Sequence, residues 1–258
     1  MSLWSRNQLR IALAPQGLAL VRHHGNPAKP VASKSVASPV RDWQSLLPLL
    51  ERELADAAWR APQVEVVLSN QYVRYALTPP PGKALSRLEE TALVSASFRE
   101  IYGAETASWR IRVLSQPPQF GLVGAAIDES LVIEIGDLLK RHRYTNWAMK
   151  PLASLTPQPT ADWWVLAEPG WLCLFNAVGG HWRYLSGQPA DDHWQRSLPE
   201  TLNREARMAG CDLTGKPQTA FIQSFGSKHR TPAVSPGWHW RMATPNNNEL
   251  GALALAMA

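Results

Sequence analysis

Two stretches of the chain repeat one pattern of apolar positions: a short apolar strand, a tight turn built on proline, a second apolar strand, and then a helix. The first spans 9–22 and turns at Pro15-Gln16-Gly17; the second spans 163–176 and turns at Glu168-Pro169-Gly170. A third strand is expected at 31–36, bounded by Pro30 and Pro39. Trp43, Leu46, Leu47, Leu50, Leu54 and Ala58 recur at helical spacing and predict a helix over 42–58. Pro48 conflicts with it, because proline removes an intrahelical hydrogen bond, so the helix kinks there or starts nearby.

The β-branched run 64–69 predicts a strand, with a partner strand through Tyr72, Val73, Tyr75 and Leu77 that ends at Pro79-Pro80-Pro81-Gly82. Over 83–102, Leu85, Leu88, Ala92, Ala96, Phe98 and Ile101 are placed on one face of an amphipathic helix, with Glu89, Glu90, Arg99 and Glu100 largely elsewhere and Gly103 as its stop. Strands at 109–114 and 122–127 lead to Asp128. This residue N-caps a helix carrying Leu131, Ile135, Leu138 and Leu139, whose basic end Lys140-Arg141-His142-Arg143 complements the helix dipole. Prolines 151, 157 and 159 mark the division into a first lobe, 1–155, and a smaller second lobe, 156–258. The second carries strands near 163–168, 171–176 and 181–186, a helix near 191–208, strands near 218–224 and 236–242, and a short final helix from Asn247. A strand-strand-strand-helix-strand series read twice implies α/β architecture in two lobes, each a mixed sheet flanked by helices.

With 258 residues and 45% hydrophobic content the chain can bury a large core, which excludes a disordered class. Residues 1–155 hold 18 Lys/Arg against 13 Asp/Glu, and 156–258 hold 8 against 8, so the whole formal charge of +5 lies in the first part. A basic face there suits an acidic partner, an anionic surface or nucleic acid, or is a solvated face. Cys173, inside the apolar run 171–175, reads as a core thiol, and two cysteines in all point to a reducing compartment. The first residues lack a signal-peptide apolar stretch, and no uncharged apolar run reaches the roughly 20 residues that span a bilayer. A soluble, cytoplasmic protein is expected. Twelve tryptophans scattered from Trp4 to Trp240 suit packing more than one aromatic cage.

The order of these elements resembles the actin-like ATPase fold (ribonuclease H-like, two-lobed), and more narrowly the M-type (PilM-like) assembly proteins of type IV pili and the L-type cytoplasmic domains of type II secretion. The matching segments are 9–22, the strand pair 64–77, the strand Trp109-Arg110-Ile111-Arg112-Val113 leading to Gly124-Ala125-Ala126-Ile127-Asp128, and the small-residue end Glu249-Leu250-Gly251-Ala252-Leu253-Ala254-Leu255. Active members of that superfamily carry Asp-x-Gly-[Ser/Thr] in the first hairpin. Here Ala12 takes the acidic position, Ala14 the glycine and Pro15-Gln16 the phosphate-binding hydroxyls. Alanine cannot hold the water shell of a magnesium ion, and Pro15 has no N–H to donate. In the second hairpin Val165-Leu166-Ala167-Glu168-Pro169-Gly170 replaces the expected Asp and Gly, and Pro169 again removes a donor.

What the resemblance implies is a pseudo-ATPase: a non-catalytic scaffold with no catalytic residue, cofactor or metal, binding a protein partner that is an inner-membrane assembly component. No nucleic acid and no direct membrane insertion is expected, and the oligomeric state is not legible. The first alternative is a divergent Mg-ATP-binding ATPase in which Gln16, Glu168 and the backbone at Gly170 hold nucleotide. The second is a nucleic-acid-binding module using the basic first lobe, which requires salt-sensitive binding.

Other chemistry-bearing residues have plainer readings. Leu213-Thr214-Gly215-Lys216 lacks the upstream glycine and following hydroxyl of a phosphate loop and reads as a turn. His23-His24 point to opposite strand faces and cannot readily chelate one ion, so they read as a solvated strand end. Asp191-Asp192-His193 precedes a helix and reads as its cap, Gly179-Gly180-His181 as a hairpin turn, and Glu89-Glu90 as a wet helix face. Trp238-His239-Trp240-Arg241 alternates as a strand, without the signature of an RNA-binding sheet.

Overall fold

The computed structural model describes residues 7–24, 30–155, 161–213, 215–225 and 231–243. In chain order these carry strands β1 (Asn7–Ala14), β2 (Gly17–His24) and β3 (Pro30–Ala37), helix α1 (Leu46–Leu54), β4 (Gln63–Leu68), β5 (Arg74–Leu77), helix α2 (Arg87–Tyr102), β6 (Trp109–Leu114), β7 (Val123–Asp128), helix α3 (Glu129–Arg141) and β8 (Trp147–Pro151). There follow β9 (Trp163–Glu168), β10 (Trp171–Val178), β11 (His181–Pro189), helix α4 (Trp194–Met208), β12 (Gln218–Ser224) and β13 (Trp238–Met242). The expected final helix from Asn247, with its segment 249–255, lies outside the described residues.

The chain folds into two compact units: the described parts of 1–73 with 128–156, and the described parts of 74–127 with 157–245. The chain therefore crosses between the units at 73/74, 127/128 and 156/157.

The first unit is a five-stranded sheet in the order β3-β2-β1-β4-β8. β1, β2 and β3 form an antiparallel meander, while β4 runs parallel to β1 and β8 parallel to β4. Ile11, Ala12, Leu13, Val66 and Val67 are all fully buried, so these central strands read as continuous apolar runs and not as alternation, because both faces of the sheet are covered. Leu46, Leu50 and Leu54 of α1 and Leu131, Ile135, Leu138 and Leu139 of α3 supply buried side chains. Each fully buried leucine contributes about 2 kcal/mol. The conflict at Pro48 resolves by position: α1 begins at Leu46, so the missing N–H falls in the first turn, where no intrahelical acceptor exists. The helix is also shorter than the expected 42–58 at its far end, where Asp56 accepts from Ala58 N–H and opens a separate 3₁₀ turn over Ala57–Trp59.

The second unit repeats that topology: β9, β10 and β11 are an antiparallel meander, and β12 and β13 add in parallel, giving β11-β10-β9-β12-β13. Consecutive residues of β9 face opposite sides, as strand geometry demands. Trp163 packs with Leu198, Leu202 and Ala206 of α4 and lies edge-on to Trp238 at 6.3 Å. Trp164 lies 5.1 Å from Phe175 and stacks on Trp182 at 6.1 Å. Phe175 in turn meets Tyr75 edge-on at 5.7 Å, tying β5 to this second face.

β5 belongs to a separate three-stranded sheet, β5-β7-β6, inserted in the chain between β4 and α3 and covered by α2. This corrects the expected pairing of 64–69 with the strand after Tyr72: β4 and β5 lie in different sheets, and Asn70–Tyr72 form a 3₁₀ turn between them. Helix α2 starts at Arg87 and not at 83, because Ser86 and Glu89 form a reciprocal capping box: Glu89 N–H donates to Ser86 Oγ at 3.3 Å, and Ser86 N–H to Glu89 at 2.7 Å. Its buried residues are Val94 and Phe98. Leu88 is 80% and Ile101 61% exposed, and Ala92 and Ala96 are exposed as well, so the expected apolar face is corrected. The expected end at Gly103 holds, with a φ of 72° that glycine adopts without strain.

Candidate functional site

The two repeated hairpins are built alike. In the first, Ala14 pairs with Gly17 across the turn Pro15-Gln16; in the second, Glu168 pairs with Trp171 across Pro169-Gly170. Proline opens both turns, where its fixed φ is preset. At each turn and just before it the backbone is fastened in the same two ways. The carbonyl of Gln16 accepts from Ser38 N–H at 2.9 Å, and that of Gly170 from Ala190 N–H at 3.1 Å, both donors lying just beyond the third strand. The carbonyl of Leu13 accepts from Ser69 N–H at 2.9 Å, and that of Ala167 from Phe225 N–H at 2.8 Å, both donors lying just beyond the fourth. The duplication thus extends to individual hydrogen bonds.

In the first unit, Ala12 and Ala14 are buried, at 0% and 2% exposure, as are Pro15 and Gly17, while Gln16 is half-buried. A Cβ on Gly17 would come within 2.2 Å of the Val36 carbonyl oxygen, so β2 and β3 close down on the turn and only glycine fits. No carboxylate, hydroxyl or spare N–H is offered by Ala12, Ala14 or Pro15. These residues do not match the donor set of a magnesium-bound triphosphate.

In the second unit, Glu168 ends β9 with its side chain buried, and Gly170 is half-buried with φ 83°. The Glu168 carboxylate sits within the field of Tyr75 and Cys173: burial chiefly, and this charge in part, push the Tyr75 hydroxyl and the Cys173 thiol well above their ordinary ranges. Arg74 lies over the Trp171 ring at 6.0 Å from its centroid. A thiolate is strongly disfavoured at Cys173, in keeping with its reading as a core thiol. Of the three residues set aside for a nucleotide, Gln16 belongs to the first unit and Glu168 and Gly170 to the second.

Among the described residues no group of three or more His, Cys, Asp or Glu side chains could hold a metal ion, and no helix is long and apolar enough to cross a membrane. His23 is buried and His24 exposed, on opposite faces as expected, although the burial of His23 corrects the reading of both as solvated. Asp191 accepts from His193 N–H at 2.8 Å in the turn before α4, but the N-cap is His193 and no side chain caps the helix, which corrects the reading of the aspartates as its caps. Gly179 and Gly180 turn the β10–β11 hairpin with φ of 59° and 81°. Trp238 and Trp240 stack at 5.8 Å on β13. Thr214, and with it the middle of 213–216, lies outside the described residues.

The second unit also holds a recess of about 430 Å³, walled by Leu77, Pro80, Phe120, Val178, Trp182 and Arg183. Its residues come from four separate stretches of chain, so no local pattern marks it.

No protein-family model matches the chain, and no curated relative does. Solved structures do. The cytoplasmic domain of EpsL, an inner-membrane component of the type II secretion system of Vibrio cholerae, is similar over 97% of this chain and 92% of its own, with TM-score 0.62 and 14% identity. A Bacteroides thetaiotaomicron protein with an actin-like ATPase fold is similar over 88% of this chain and 86% of its own, with TM-score 0.54 and 9% identity. The PilM-PilN type IV pilus biogenesis complex is similar over 84% of this chain and 81% of its own, with TM-score 0.54 and 15% identity. With two five-stranded sheets of one topology and these likenesses, the chain has an actin-like ATPase fold resembling those of PilM and the EpsL cytoplasmic domain.

Proposed function

We propose that this protein is a non-catalytic actin-like scaffold, a pseudo-ATPase, that binds an inner-membrane protein component of a type IV pilus or type II secretion-like assembly from the cytoplasmic side. One observation carries the reading: at the first phosphate-type hairpin, Ala12, Ala14 and Pro15 are buried apolar residues where nucleotide chemistry needs a carboxylate and donors. Burial means that no side chain of the turn other than Gln16 reaches solvent well enough to replace them. The second hairpin supports it, since Pro169 cannot donate and the Glu168 carboxylate is turned into the protein. The secretion and pilus settings are supported by the two similar structures, one described as an inner-membrane secretion component and the other as part of a pilus biogenesis complex with PilN. A fold kept without its chemistry is kept for its surfaces.

Titrating the purified protein with ATP and magnesium, by calorimetry and thermal unfolding together, tests the pseudo-ATPase half. The expected result is no saturable binding at millimolar nucleotide and an unchanged midpoint, because a ligand that binds only the folded form must raise stability by mass action. Saturable micromolar binding that Glu168→Gln abolishes would establish the ATPase alternative. The scaffold half is tested by immobilising the protein on a column and passing detergent-solubilised inner membrane over it. Retention of an integral assembly component is expected; retention of none would sink the scaffold.

A further inference from the structure

The recess lies wholly inside the second unit, between the inserted sheet and the β10–β11 hairpin. It is held open by its own backbone chemistry. Gln116 reaches across from the loop after β6: its Nε2 donates to the carbonyls of Gly121 (2.6 Å) and Trp182 (3.1 Å), and its Oε1 accepts from Trp182 N–H (2.7 Å). One side-chain amide thus satisfies both backbone groups of an edge-strand residue, as a neighbouring strand would. The loop is packed so closely that a Cβ on Gly121 would fall 1.8 Å from the Thr78 carbonyl oxygen. Two aromatic walls are fixed as well, Trp182 by stacking on Trp164 and Phe120 by lying 4.6 Å from His181.

The walls are largely apolar, with Thr78 and Gln119 as polar members, and Arg183 is the one charged side chain among the described lining residues. Arg183 is exposed, and its guanidinium is steadied by donating to the Gly210 carbonyl at 3.2 Å. Val178, on the lining, is 47% exposed, so the recess opens to solvent beside an apolar side chain.

We propose that this recess docks an extended peptide segment of a protein partner, an apolar side chain seated between Phe120 and Trp182 and a neighbouring carboxylate set against Arg183. The assignment rests on the scaffold reading and names its surface. Rigid aromatic walls lose little freedom on binding, and a single guanidinium at the edge of an apolar recess selects an acidic group by charge complementarity. Gln119 on the wall adds an amide that pairs with peptide backbone and has no use for an acyl chain.

The test is a display selection of random dodecapeptides on the full chain, followed by fluorescence polarisation of the enriched peptides on wild type, Val178→Glu and Arg183→Glu. Both positions are exposed, and thermal midpoints verify that the variants fold. Enriched peptides should share an apolar residue with Asp or Glu close beside it, and both variants should weaken them at least about tenfold. No enrichment, peptides of another character, or equal affinity for the variants would overturn the assignment. So would phosphatidylglycerol vesicles that sediment wild type but not Val178→Glu, since the occupant would then be lipid. The scaffold reading fails separately: a Val178→Glu column that still retains the membrane component removes the recess and leaves the scaffold, while a wild-type column that retains nothing removes the scaffold.

Discussion

Arg10 Nε lies 2.9 Å from a carboxylate oxygen of Glu65, its register partner on the neighbouring parallel strand. The other oxygen of Glu65 lies 2.7 Å from Lys150 Nζ on β8, so one carboxylate, 8% exposed, links three adjacent strands of the first sheet. Its partners are wetter than the carboxylate, Arg10 at 20% and Lys150 at 47% side-chain exposure, so water screens part of what the pairing supplies. Glu65→Ala should therefore cost about 1–2 kcal/mol in urea unfolding, and Glu65→Gln about half as much because it keeps an acceptor. Equal stability of Glu65→Ala and wild type would mean that the two cations find water at no cost.

Gly17→Ala tests how tightly the first hairpin is closed. The added Cβ meets the Val36 carbonyl at 2.2 Å, and φ at this position is +152°, so β3 must separate from β2 or the turn must reform. The expected loss is roughly 2–4 kcal/mol by denaturant midpoint, with a rise in amide exchange along β3. An unchanged midpoint would show that β3 yields freely.

Stability should fall on the alkaline side. Burial, first in every case, holds the phenols of Tyr72, Tyr75, Tyr144 and Tyr184 above the ordinary tyrosine value of 10.0. The charge of Asp42 adds to it at Tyr72, and a hydrogen bond to Glu205 and that carboxylate's charge add to it at Tyr184. The Cys173 and Cys211 thiols are raised by burial above 9.0. A raised pKa means that the folded chain keeps protons the unfolded chain releases, so this stability is intact below pH 9 and is lost progressively as pH rises above the ordinary values of 9 and 10. Each such proton steepens the decline by about 1.4 kcal/mol per pH unit. Urea unfolding from pH 7 to 11 should show the decline, and Tyr184→Phe should make it shallower by one proton. A flat profile would contradict the burial of these phenols.

The adjacent tryptophans of β9 should separate two regions of the second unit. Trp164→Ala should raise hydrogen exchange at Arg74–Leu77, because Trp164 supports the Phe175 ring that meets Tyr75. Trp163→Ala should instead expose α4, at roughly 3–5 kcal/mol for a fully buried tryptophan. Identical exchange patterns in the two variants would deny the two-faced packing.

Strand and helix positions were largely legible where one period dominated. The meanders, the N-cap at Asp128 and the apolar stripe of α3 all follow from local pattern. Pairing was not legible. Nothing in 64–77 tells that Leu68 ends a strand of one sheet and Arg74 opens a strand of another, because partners come from distant chain. The face of α2 was misjudged for a related reason: the helix carries apolar residues on two sides, and only packing of Val94 and Phe98 against Ala76, Leu122 and Ala126 decides which is inside. β8 went unseen because its five residues alternate between half-buried and exposed, a weak signal beside the neighbouring helix. For the hairpins the missing chemistry was readable from Ala12 and Pro15, whereas the burial of Glu168 needed the fold.

The insertion of 74–127 has a consequence for how the molecule is made. β8 pairs with β4, Val64 against Trp147, with the whole inserted sheet and α3 between them in the chain. During synthesis the first sheet can reach four strands early, but its last strand waits until the ribosome has delivered residues beyond Pro151. Closing so long a loop costs entropy before the pairing repays it, so β8 should join the first sheet late, and the nascent chain should offer an open edge at β4 for a chaperone to guard.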